Sequence, residues 1–578
     1  MSATKETVLT TQEGIYMRTK PIIFAFAALV VCGSMILPQA SHAQTPGPIA
    51  LTGVVSSDAD GAMEGVLVSA KPLGGKITTT VVTDKQGRYS FPASRLKPGE
   101  YKLSIRATGY DADKPDMSVT VGHKPAAVNL KLNKTRDLSS QLSSAEWFIS
   151  MPGTSEQKDE LYRCIQCHTA TPILQSTYDA AGWLVTINRM RNWGPSSSLQ
   201  KPQRLPFHQQ QRPGDAKLAE YLSSINLSSK PKWDFELKTL PRPSGQATKV
   251  IITEYDLPRS DAQPHDAVID AEGVVWYIDF AEPILGRLDP RTGETKEWQL
   301  PELRPGFDGG SLDLELDRDG NPWVARLLQA GIVKFDKKTE KFSSWSVPKE
   351  YLNSKSRVPF LAFGPKGKVW FVDTWNRTMY LLDATTGHID RYPAYPDWTV
   401  PEIDMGSGAK GKEPHGHFIY GINADSKGNA YLADMSGGNI GEMDPLGKVG
   451  LYPTPSVNSG PRRMHVDKDD KLWFAENFSF KIGVFDPETK RIQEWEDPTP
   501  WDGTYDAARD KEGYVWVGGM MTDLVTRFNP KAGEFTQYLL PSPGANIRRV
   551  EVDNLTEPAS FLAGENHQAK IALVQPLN

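Results

Sequence analysis

Cysteine, an excess of charge of one sign and long apolar runs are all scarce in this chain of 578 residues. Lysine and arginine number 65 against 70 aspartate and glutamate, which gives a net charge of −5 and a pI of about 6.1. Because nucleic-acid binding needs a basic footprint that displaces counterions, a general nucleic-acid binder is not expected. Charged residues, at 23% and scattered evenly, argue equally against a disordered chain.

Glycine, proline and aromatic residues are plentiful instead. The chain holds 48 Gly, 44 Pro, 15 Trp and 19 Tyr, a composition typical of aromatic strands separated by turns. At roughly 150 residues per domain, the length predicts about three or four domains. The composition therefore predicts a multidomain, mainly β protein.

One apolar run, over residues 21–37, follows two basic residues and is followed by small residues up to Ala43. A basic region, a short apolar region and small residues before the cut are what a signal peptidase reads. The run is interrupted by Gly33 and Ser34 and is short for a bilayer span. The prediction is a signal peptide over residues 1–43, export to the periplasm, and no integral membrane segment after cleavage.

The two cysteines beyond this segment stand in the motif Cys164-Ile-Gln-Cys167-His168. C-x-x-C-H is the signature of covalent c-type haem attachment. Two thiols three positions apart can add to the two vinyl groups of a haem, and the adjacent imidazole can then bind the iron. The motif predicts one covalently bound haem c with His168 as an iron ligand.

The surroundings of the motif resemble a small class I cytochrome c domain. Residues 155–163 read as a helix leading into the motif, and residues 214–226 as a closing helix. The resemblance implies a small all-α domain over residues 140–230. The segment in which Trp183 is followed seven residues later by Met190 resembles the helix of exported cytochromes whose methionine supplies the sixth iron ligand. The resemblance makes Met190 the first choice for the distal ligand, with His208 in the following proline-rich loop as the alternative.

Residues 48–132 alternate apolar and polar positions between Asp/Gly turns, which predicts an antiparallel β-sandwich. The order of these turns, including Asp84-Lys-Gln-Gly87, resembles the carboxypeptidase regulatory-like domain. That resemblance implies a prealbumin-like sandwich. Because it contains no paired carboxylates or histidine cluster, we expect it to serve as a scaffold.

From about residue 249 a pattern of four short β runs recurs every 35–50 residues. Seven units follow from the aromatic residues that mark them: Trp276, Trp323, Trp370, Tyr431, Trp473, Trp516 and Phe561. The segment Lys249–Pro258 matches the last strand of the other units, and the final unit lacks such a strand. We therefore expect the first segment to complete the last unit and close a ring.

These units, with their Pro-His, Gly-Arg-Leu-Asp-Pro, Thr-Gly-Glu and closing Leu-Pro elements, resemble the streptogramin lyase family, which includes virginiamycin B lyases. The resemblance implies a seven-bladed β-propeller over residues 245–578. It also implies a metal-assisted elimination in which a histidine acts near a bound Mg²⁺.

Alignment of the repeats predicts two rings of residues that face each other at one end of the channel. The first ring contains His265, Leu312, Pro359, Tyr420, Arg462, Tyr505 and Arg548. The second ring contains Asp279, Arg326, Asp373, Asp434, Glu476, Gly519 and Gly564.

The lyase pattern, a Pro-His with an acidic residue 14 positions after the histidine, is present only in pieces. His265 and Asp279 keep the spacing, with aspartate in place of glutamate. The fifth unit keeps Glu476 but has Arg462 at the histidine position. Because arginine stays protonated, this change removes a base.

The fourth unit contains Glu413-Pro-His415-Gly-His417, which is similar to the metal and histidine motif but lies about five residues too far from Asp434. His415 and His417 are candidates to share a metal ion. The insertion over residues 394–414 is expected to cover the channel mouth or to contact the haem domain.

These observations give one leading functional hypothesis and two rivals. In the leading hypothesis, oxidation of a small organic or anionic substrate in the propeller transfers electrons to the haem or to a redox partner protein. The rivals are a metal-dependent C–O lyase with an accessory haem, and a binding module that docks a redox partner.

Candidate catalytic residues are His265, Arg462 and His415. Candidate ligands of a divalent cation are Asp279, Glu413, His417 and Glu476. A cluster expected to bind anions consists of Arg462, Arg463, Arg548 and Arg549.

Overall fold

The computed structural model describes residues 47–194, 196–197, 203–205, 209–395 and 416–577. The predicted signal peptide lies outside these residues, as do His208, Glu413 and His415. Within the described ranges, none of the helices is long and apolar enough to cross a membrane.

The N-terminal β region begins with strands whose side chains alternate between the core and solvent. In one of these strands Tyr89 and Phe91 are buried and their neighbours are not, as the period of two requires. The predicted turn before this strand is present: Asp84 accepts the backbone N–H of Arg88 at 2.9 Å, and Gly87 adopts a φ of 69°. A Cβ on Gly87 would lie 2.4 Å from a backbone oxygen, so the turn needs glycine. The strands are β1 (Ile49–Ser57), β2 (Gly61–Ala62), β3 (Leu67–Pro72), β4 (Ile77–Val82), β5 (Arg88–Pro92), β6 (Gly99–Arg106), β7 (Tyr110–Ala112), β8 (Met117–Val121), β9 (Ala126–Ala127) and β10 (Leu130–Lys134).

A helical segment follows the sandwich. The predicted helices at 155–163 and 214–226 are observed within one residue of those limits, and the segment containing Met190 is helical as well. Asp179 begins that last helix by accepting the N–H of Gly182 at 2.8 Å. The helices are α1 (Ser144–Ser150), α2 (Ser155–Tyr162), α3 (Thr171–Leu174), α4 (Ala180–Arg191) and α5 (Asp215–Ile225).

The C-terminal part is a propeller-like β region that contains six four-stranded antiparallel sheets. The aromatic residue that marks each repeat lies on the second strand of its sheet and is buried. The first three sheets comprise β12 (Pro264–Ile269), β13 (Val275–Asp279), β14 (Ile284–Asp289) and β15 (Glu294–Gln299); β16 (Asp313–Leu316), β17 (Pro322–Arg326), β18 (Gly331–Asp336) and β19 (Lys341–Ser346); and β20 (Leu361–Phe363), β21 (Lys368–Asp373), β22 (Thr378–Asp383) and β23 (Ile389–Pro393). The next three comprise β24 (Ile419–Ala424), β25 (Ala430–Asp434), β26 (Asn439–Met443) and β27 (Val449–Pro453); β28 (Pro461–Val466), β29 (Leu472–Glu476), β30 (Lys481–Asp486) and β31 (Arg491–Glu496); and β32 (Thr504–Arg509), β33 (Val515–Gly519), β34 (Leu524–Asn529) and β35 (Glu534–Leu539).

The two ends of this region meet in one sheet. The C-terminal strands β36 (Glu551–Asp553), β37 (Ser560–Glu565) and β38 (Lys570–Pro576) are followed in the sheet by β11 (Val250–Asp256), which pairs antiparallel with β38. The prediction that the first segment completes the last repeat is confirmed. The other side of β11 pairs with β4 of the sandwich, so that the sheet continues to eight strands. The sequence analysis did not predict this second pairing.

We expect a proline at Thr253, which faces Leu573 on one side and Thr79 on the other, to disrupt this sheet. The proline removes a ladder hydrogen bond from a central strand, and Thr253→Pro should lower the free energy of unfolding by about 2–4 kcal/mol. Thr253→Ala is the matched control, because the Thr253 hydroxyl has no hydrogen-bond partner among the described residues. Urea midpoints measure both effects. Equal midpoints for the two variants would mean that β11 is not a central strand.

Candidate functional site

The structure brings polar members of the predicted first ring close together in the propeller-like region. Four of them occupy the second position of a first strand, and Arg548 occupies the equivalent position before β36. In four of the sheets the strand register shifts at this position, between Pro264 and Asp266 in the first sheet. A shift of this kind changes the direction of the side chains beside it. We call the group of His265, Tyr420, Arg462, Tyr505 and Arg548 the mouth cluster.

Hydrogen bonds join four members of the mouth cluster. The Nε2 atom of His265 lies 3.4 Å from the Tyr505 hydroxyl, which is hydrogen bonded to the Tyr420 hydroxyl. Arg462 donates to the Tyr420 hydroxyl at 3.1 Å, and its guanidinium carbon lies 3.8 Å from the Tyr505 ring centroid. The sequence alignment predicted these positions but not their direct bonding.

A second layer of charges lies next to the mouth cluster and was missed by the sequence analysis. Asp266 accepts the Nδ1–H of His265 at 2.6 Å and two N–H groups of Arg463 at 2.7 and 2.8 Å. Arg463 also donates to Asp313, and Arg549 donates to Glu315 at 2.6 Å. The sequence did hold a signal for this layer. Two polar residues stand next to each other at the start of a first strand, as in Arg462-Arg463, where a regular strand would direct one of them to the other face.

This layer corrects the prediction of a four-arginine anion site. All four arginines are buried, and Arg463 and Arg549 are both engaged by carboxylates. Burial raises the pKa of Asp313 to about 7 despite its arginine neighbours. A buried arginine with a carboxylate partner neutralises the channel and is not available for a ligand. Only Arg462 and Arg548 belong to the mouth cluster.

Three members of the predicted second ring make the same backbone contact within their own sheets. Asp279, Asp373 and Asp434 each accept the backbone N–H of the residue 16 positions earlier, at 3.4, 2.9 and 3.0 Å. Each carboxylate thereby ties the loop before the first strand to the end of the second strand of the same sheet. The spacing of 14 between His265 and Asp279 follows from this structural contact.

The described candidates for a divalent-cation site are separate from one another. Asp279 is paired with Arg259 at 2.6 Å, and His417 donates from Nδ1 to Asp434 while its ring stacks on Tyr395 at 3.9 Å. In the part of the chain that the structure describes, no three His, Cys, Asp or Glu side chains are grouped so that they could hold a metal ion. The structure does not bring Asp279, His417 and Glu476 together.

Glu476 is a fully buried carboxyl group. Burial raises its pKa to about 8, and the neighbouring Glu494 adds to the rise, while Oε1 of Glu476 has no hydrogen-bond partner among the described residues. The hydroxyl of Ser479 donates to the same carboxyl group at 2.6 Å. A carboxyl group whose pKa is raised in this way favours its neutral form.

The C-x-x-C-H motif lies beside the mouth cluster. Cys164 begins a single 3₁₀ turn, Cys164–Gln166, that directly follows α2, and no disulfide joins it to Cys167. Burial raises the pKa of Cys167, and the positive charge of Arg548 opposes part of that rise. The same charge acts on His265 and on the two tyrosines of the mouth cluster. Arg548 therefore lies within electrostatic reach of both the motif and the channel.

Packing fixes the helical segment in this position. Tyr162, two residues before Cys164, donates to the backbone oxygen of Asn477 at 3.4 Å, and its ring lies 5.9 Å from that of Phe480. Asn477 in turn accepts from Arg462 at 2.8 Å. Asn477, which directly follows β29, thus links the segment to the mouth cluster, and Tyr420 and Tyr505 pack in the same hydrophobic cluster as Tyr162.

His168 is oriented by its own backbone neighbour. Its Nδ1 lies 2.8 Å from the carbonyl oxygen of Thr169, and because a carbonyl only accepts, Nδ1 carries the hydrogen. Nε2 is then the nitrogen with a lone pair. Met190 lies partly buried in the last turn of α4. The alternative ligand, His208, lies outside the described residues.

A further histidine near His168 was missed by the sequence analysis. Burial lowers the pKa of His567 to about 3, and Arg548 and His168 add to the shift. Its Nε2 is buried and has no hydrogen-bond partner among the described residues. The repeat alignment placed Gly564 at the position of Glu476, but the structure shows that Glu565 ends the second strand of the last sheet as Glu476 does in the fifth. With that correction, Glu565-Asn566-His567 takes the place of Glu476-Asn477-Phe478.

Comparisons with known proteins bear on two parts of the chain. The profile of the Virginiamycin B lyase family matches residues 412–554, and that of the carboxypeptidase regulatory-like domain matches residues 50–133. Both predicted resemblances are confirmed over these segments. No curated protein sequence matches the chain.

Solved structures show similarity to the propeller-like region. A streptogramin B lyase structure is 21% identical and covers 58% of this chain and 100% of its own, with a TM-score of 0.49. Selenomethionine-substituted virginiamycin B lyase from Staphylococcus aureus is 18% identical over 56% of this chain and 99% of its own, with a TM-score of 0.47. A catalytically inactive variant of that enzyme with quinupristin is 19% identical over the same shares, with a TM-score of 0.46.

The raised pKa of Glu476 predicts a change of stability with pH. The unfolded chain loses this proton near pH 4.5 and the folded chain near pH 8, so wild-type stability falls as the pH rises between these values. Glu476→Gln keeps the neutral side chain at every pH. We expect its stability relative to wild type to improve by about 2–4 kcal/mol between pH 5 and 9.

Urea midpoints at pH 5, 7 and 9 test this expectation. Glu488→Gln, which changes an exposed glutamate of the same sheet, should follow the wild type at each pH. A constant difference between Glu476→Gln and wild type would show that Glu476 is ionised across the range.

Proposed function

We propose that this chain is an exported c-type cytochrome with one haem bound to Cys164 and Cys167, and that the mouth cluster is its substrate site. Oxidation of a small organic or anionic molecule there would transfer electrons to the haem and then to a redox partner protein. The observation that carries this proposal is the position of Arg548, whose charge acts on both Cys167 and the mouth cluster.

The residues of the motif fit a covalently attached haem. Two thiols without a disulfide stand next to a histidine whose Nδ1–H is held by a carbonyl, which leaves Nε2 as the ligand atom. The buried Nε2 of His567, close to His168, has no hydrogen-bond partner among the described residues, which is consistent with a bound group occupying this place. When bound, the haem would supply one-electron redox chemistry.

The environment of the thiols argues against a redox-active disulfide. Cysteines in C-x-x-C oxidoreductases have a lowered pKa, because the thiolate is their nucleophile. Burial raises the pKa of Cys164 to about 12 and also raises that of Cys167. Thiols of this kind suit permanent attachment of a cofactor better than reversible exchange.

Met190 remains the proposed distal ligand, with His208 as the alternative. A thioether favours ferrous iron and a higher potential, whereas a second imidazole would lower it. The further parts of the proposal are a class I cytochrome c fold for the helical segment, a seven-bladed propeller closed by β11, and a periplasmic location after signal cleavage.

The chain purified from a host with intact cytochrome c maturation should retain haem after denaturation. The double variant Cys164→Ala/Cys167→Ala should lose all covalent haem, since no thiol remains to form a thioether. Haem staining of denaturing gels and pyridine haemochrome spectra measure this. Thr169→Ala, which keeps the backbone carbonyl beside His168, is the matched control and should retain haem. A colourless wild-type protein with two titratable thiols would overturn the haem proposal.

A substrate of the mouth cluster should reduce the oxidised protein. We expect small anionic organic compounds to increase the ferrous haem absorbance, and Arg548→Gln to slow that increase tenfold or more while the haem content is unchanged. Stopped-flow spectra with a broad panel of compounds and the purified native redox partner measure the rates. No reduction by any compound would contradict the substrate site.

A metal-dependent lyase is the second candidate, favoured by the profile match over residues 412–554. Streptogramin linearisation that needs Mg²⁺ and disappears in His265→Ala would support it over the redox proposal.

A further inference from the structure

The hydrogen-bonded chain in the mouth cluster runs from a partly exposed end to a buried end. Tyr420 is partly exposed, whereas Tyr505, His265 and Asp266 are each 0% exposed. Phe360 covers one side of Tyr420, with ring centroids 5.1 Å apart. A molecule that enters the mouth would therefore meet Tyr420 before the other members of the chain.

The direction of the bonds is fixed at the buried end. Asp266 accepts from Arg463, so its carboxylate is held ionised, and it accepts the Nδ1–H of His265. Burial lowers the pKa of His265 to about 3. The imidazole is therefore neutral, and its Nε2 is an acceptor that points to the Tyr505 hydroxyl.

The charge at the outer end favours a phenolate. Burial alone would raise the pKa of Tyr420, but the charge of Arg462 and the hydrogen bond from Tyr505 lower it, with Arg548 adding to the effect. Burial and the charge on Tyr420 raise the pKa of Tyr505. When the pair shares one proton, that proton belongs to Tyr505 and the negative charge to Tyr420.

The chain can be satisfied in two arrangements. In the first, Tyr420 is a phenolate that accepts from Arg462 and Tyr505. In the second, Tyr420 is a phenol that donates to Tyr505, and Tyr505 turns its own O–H to His265 Nε2. No buried donor is left without an acceptor in either arrangement, and His265 stays neutral in both.

We propose that Tyr420 is the catalytic proton acceptor of the mouth cluster and that Tyr505 and His265 are positioning residues that stabilise its two states. The proposal rests on the proposed substrate site and narrows the substrate class to an alcohol or another compound whose reaction requires loss of a proton. In the step, the bond between substrate and hydrogen breaks, its electron pair stays on the substrate, and the proton bonds to the Tyr420 oxygen.

The titration of Tyr420 tests the proposal without any substrate. Protein labelled at tyrosine Cζ with ¹³C, in the ferrous holo form, is followed by NMR from pH 5 to 11. One signal that titrates below the ordinary tyrosine value of about 10 should be missing in Tyr420→Phe. It should persist in Tyr514→Phe, which removes another partly exposed tyrosine, one whose ring lies 3.8 Å from the guanidinium carbon of Arg527.

The two positioning residues should shift the Tyr420 midpoint in opposite directions. Tyr505→Phe removes a donor to the phenolate and should raise the midpoint by about one to two pH units. His265→Leu removes the acceptor that the phenol state needs and should lower the midpoint. A merely structural role would not separate the two variants by sign.

Two outcomes would overturn the proposal: a Tyr420 signal that titrates at or above about pH 10, or shifts of the same sign in both variants. The same labelled protein is titrated even if it carries no haem, so failure of the haem proposal leaves this measurement interpretable. Conversely, a normal Tyr420 midpoint in protein whose haem is reduced by substrate would reject only the role of Tyr420.

Discussion

The pairing of β11 with β38 on one side and β4 on the other is the constraint on which the rest of the structure depends. β11 is the seam at which the last repeat receives its outer strand and the sandwich joins the same sheet. The helical segment lies in the chain between β10, which pairs with β1 and β7 in the other sheet of the sandwich, and β11. Its contacts through Tyr162 and Phe148 with the fifth and sixth sheets then fix it beside the channel. These contacts hold the helical segment, which connects the sandwich to the propeller-like region, in one position.

Charge compensation inside the channel follows from the register shifts in the first strands. A regular strand would direct alternate residues to opposite faces, whereas here neighbours such as His265 and Asp266 both take part in the channel network. Burying that many charges is favourable only when each has a partner. Arg463 lies between Asp266 and Asp313 and satisfies both, which leaves the mouth cluster with Arg462 and Arg548 as its positive charges.

Much of the fold could be predicted from the sequence, because the repeat carries the same local chemistry in every unit. Buried aromatic residues such as Trp276 mark second strands, and Asp84 with Gly87 specifies a turn through hydrogen bonds that both residues require. The continuation of β11 into the sandwich could not be predicted, since β4 lies outside the repeat, whereas the pairing of β11 with β38 followed from the strand that the last repeat lacks. Two acidic residues at the ends of second strands, Asp279 and Glu476, were predicted as metal ligands because of their spacing. Asp279 instead accepts a backbone N–H of its own sheet, and sequence spacing cannot distinguish that role from metal binding.

The positive charge of Arg548 acts on both parts of the candidate site, the C-x-x-C-H motif and the mouth cluster. Its positive charge stabilises negative charge on Tyr420, and it opposes protonation of His265 and of His567. The same charge lies near Cys167, so in the proposed holoprotein it would also favour the added electron of the reduced haem. When Tyr420 takes up a proton from the substrate, its negative charge disappears. The positive charges of Arg462 and Arg548 are then no longer compensated by the phenolate. In the proposed holoprotein, proton uptake by the tyrosine and electron uptake by the haem would each make the other more favourable.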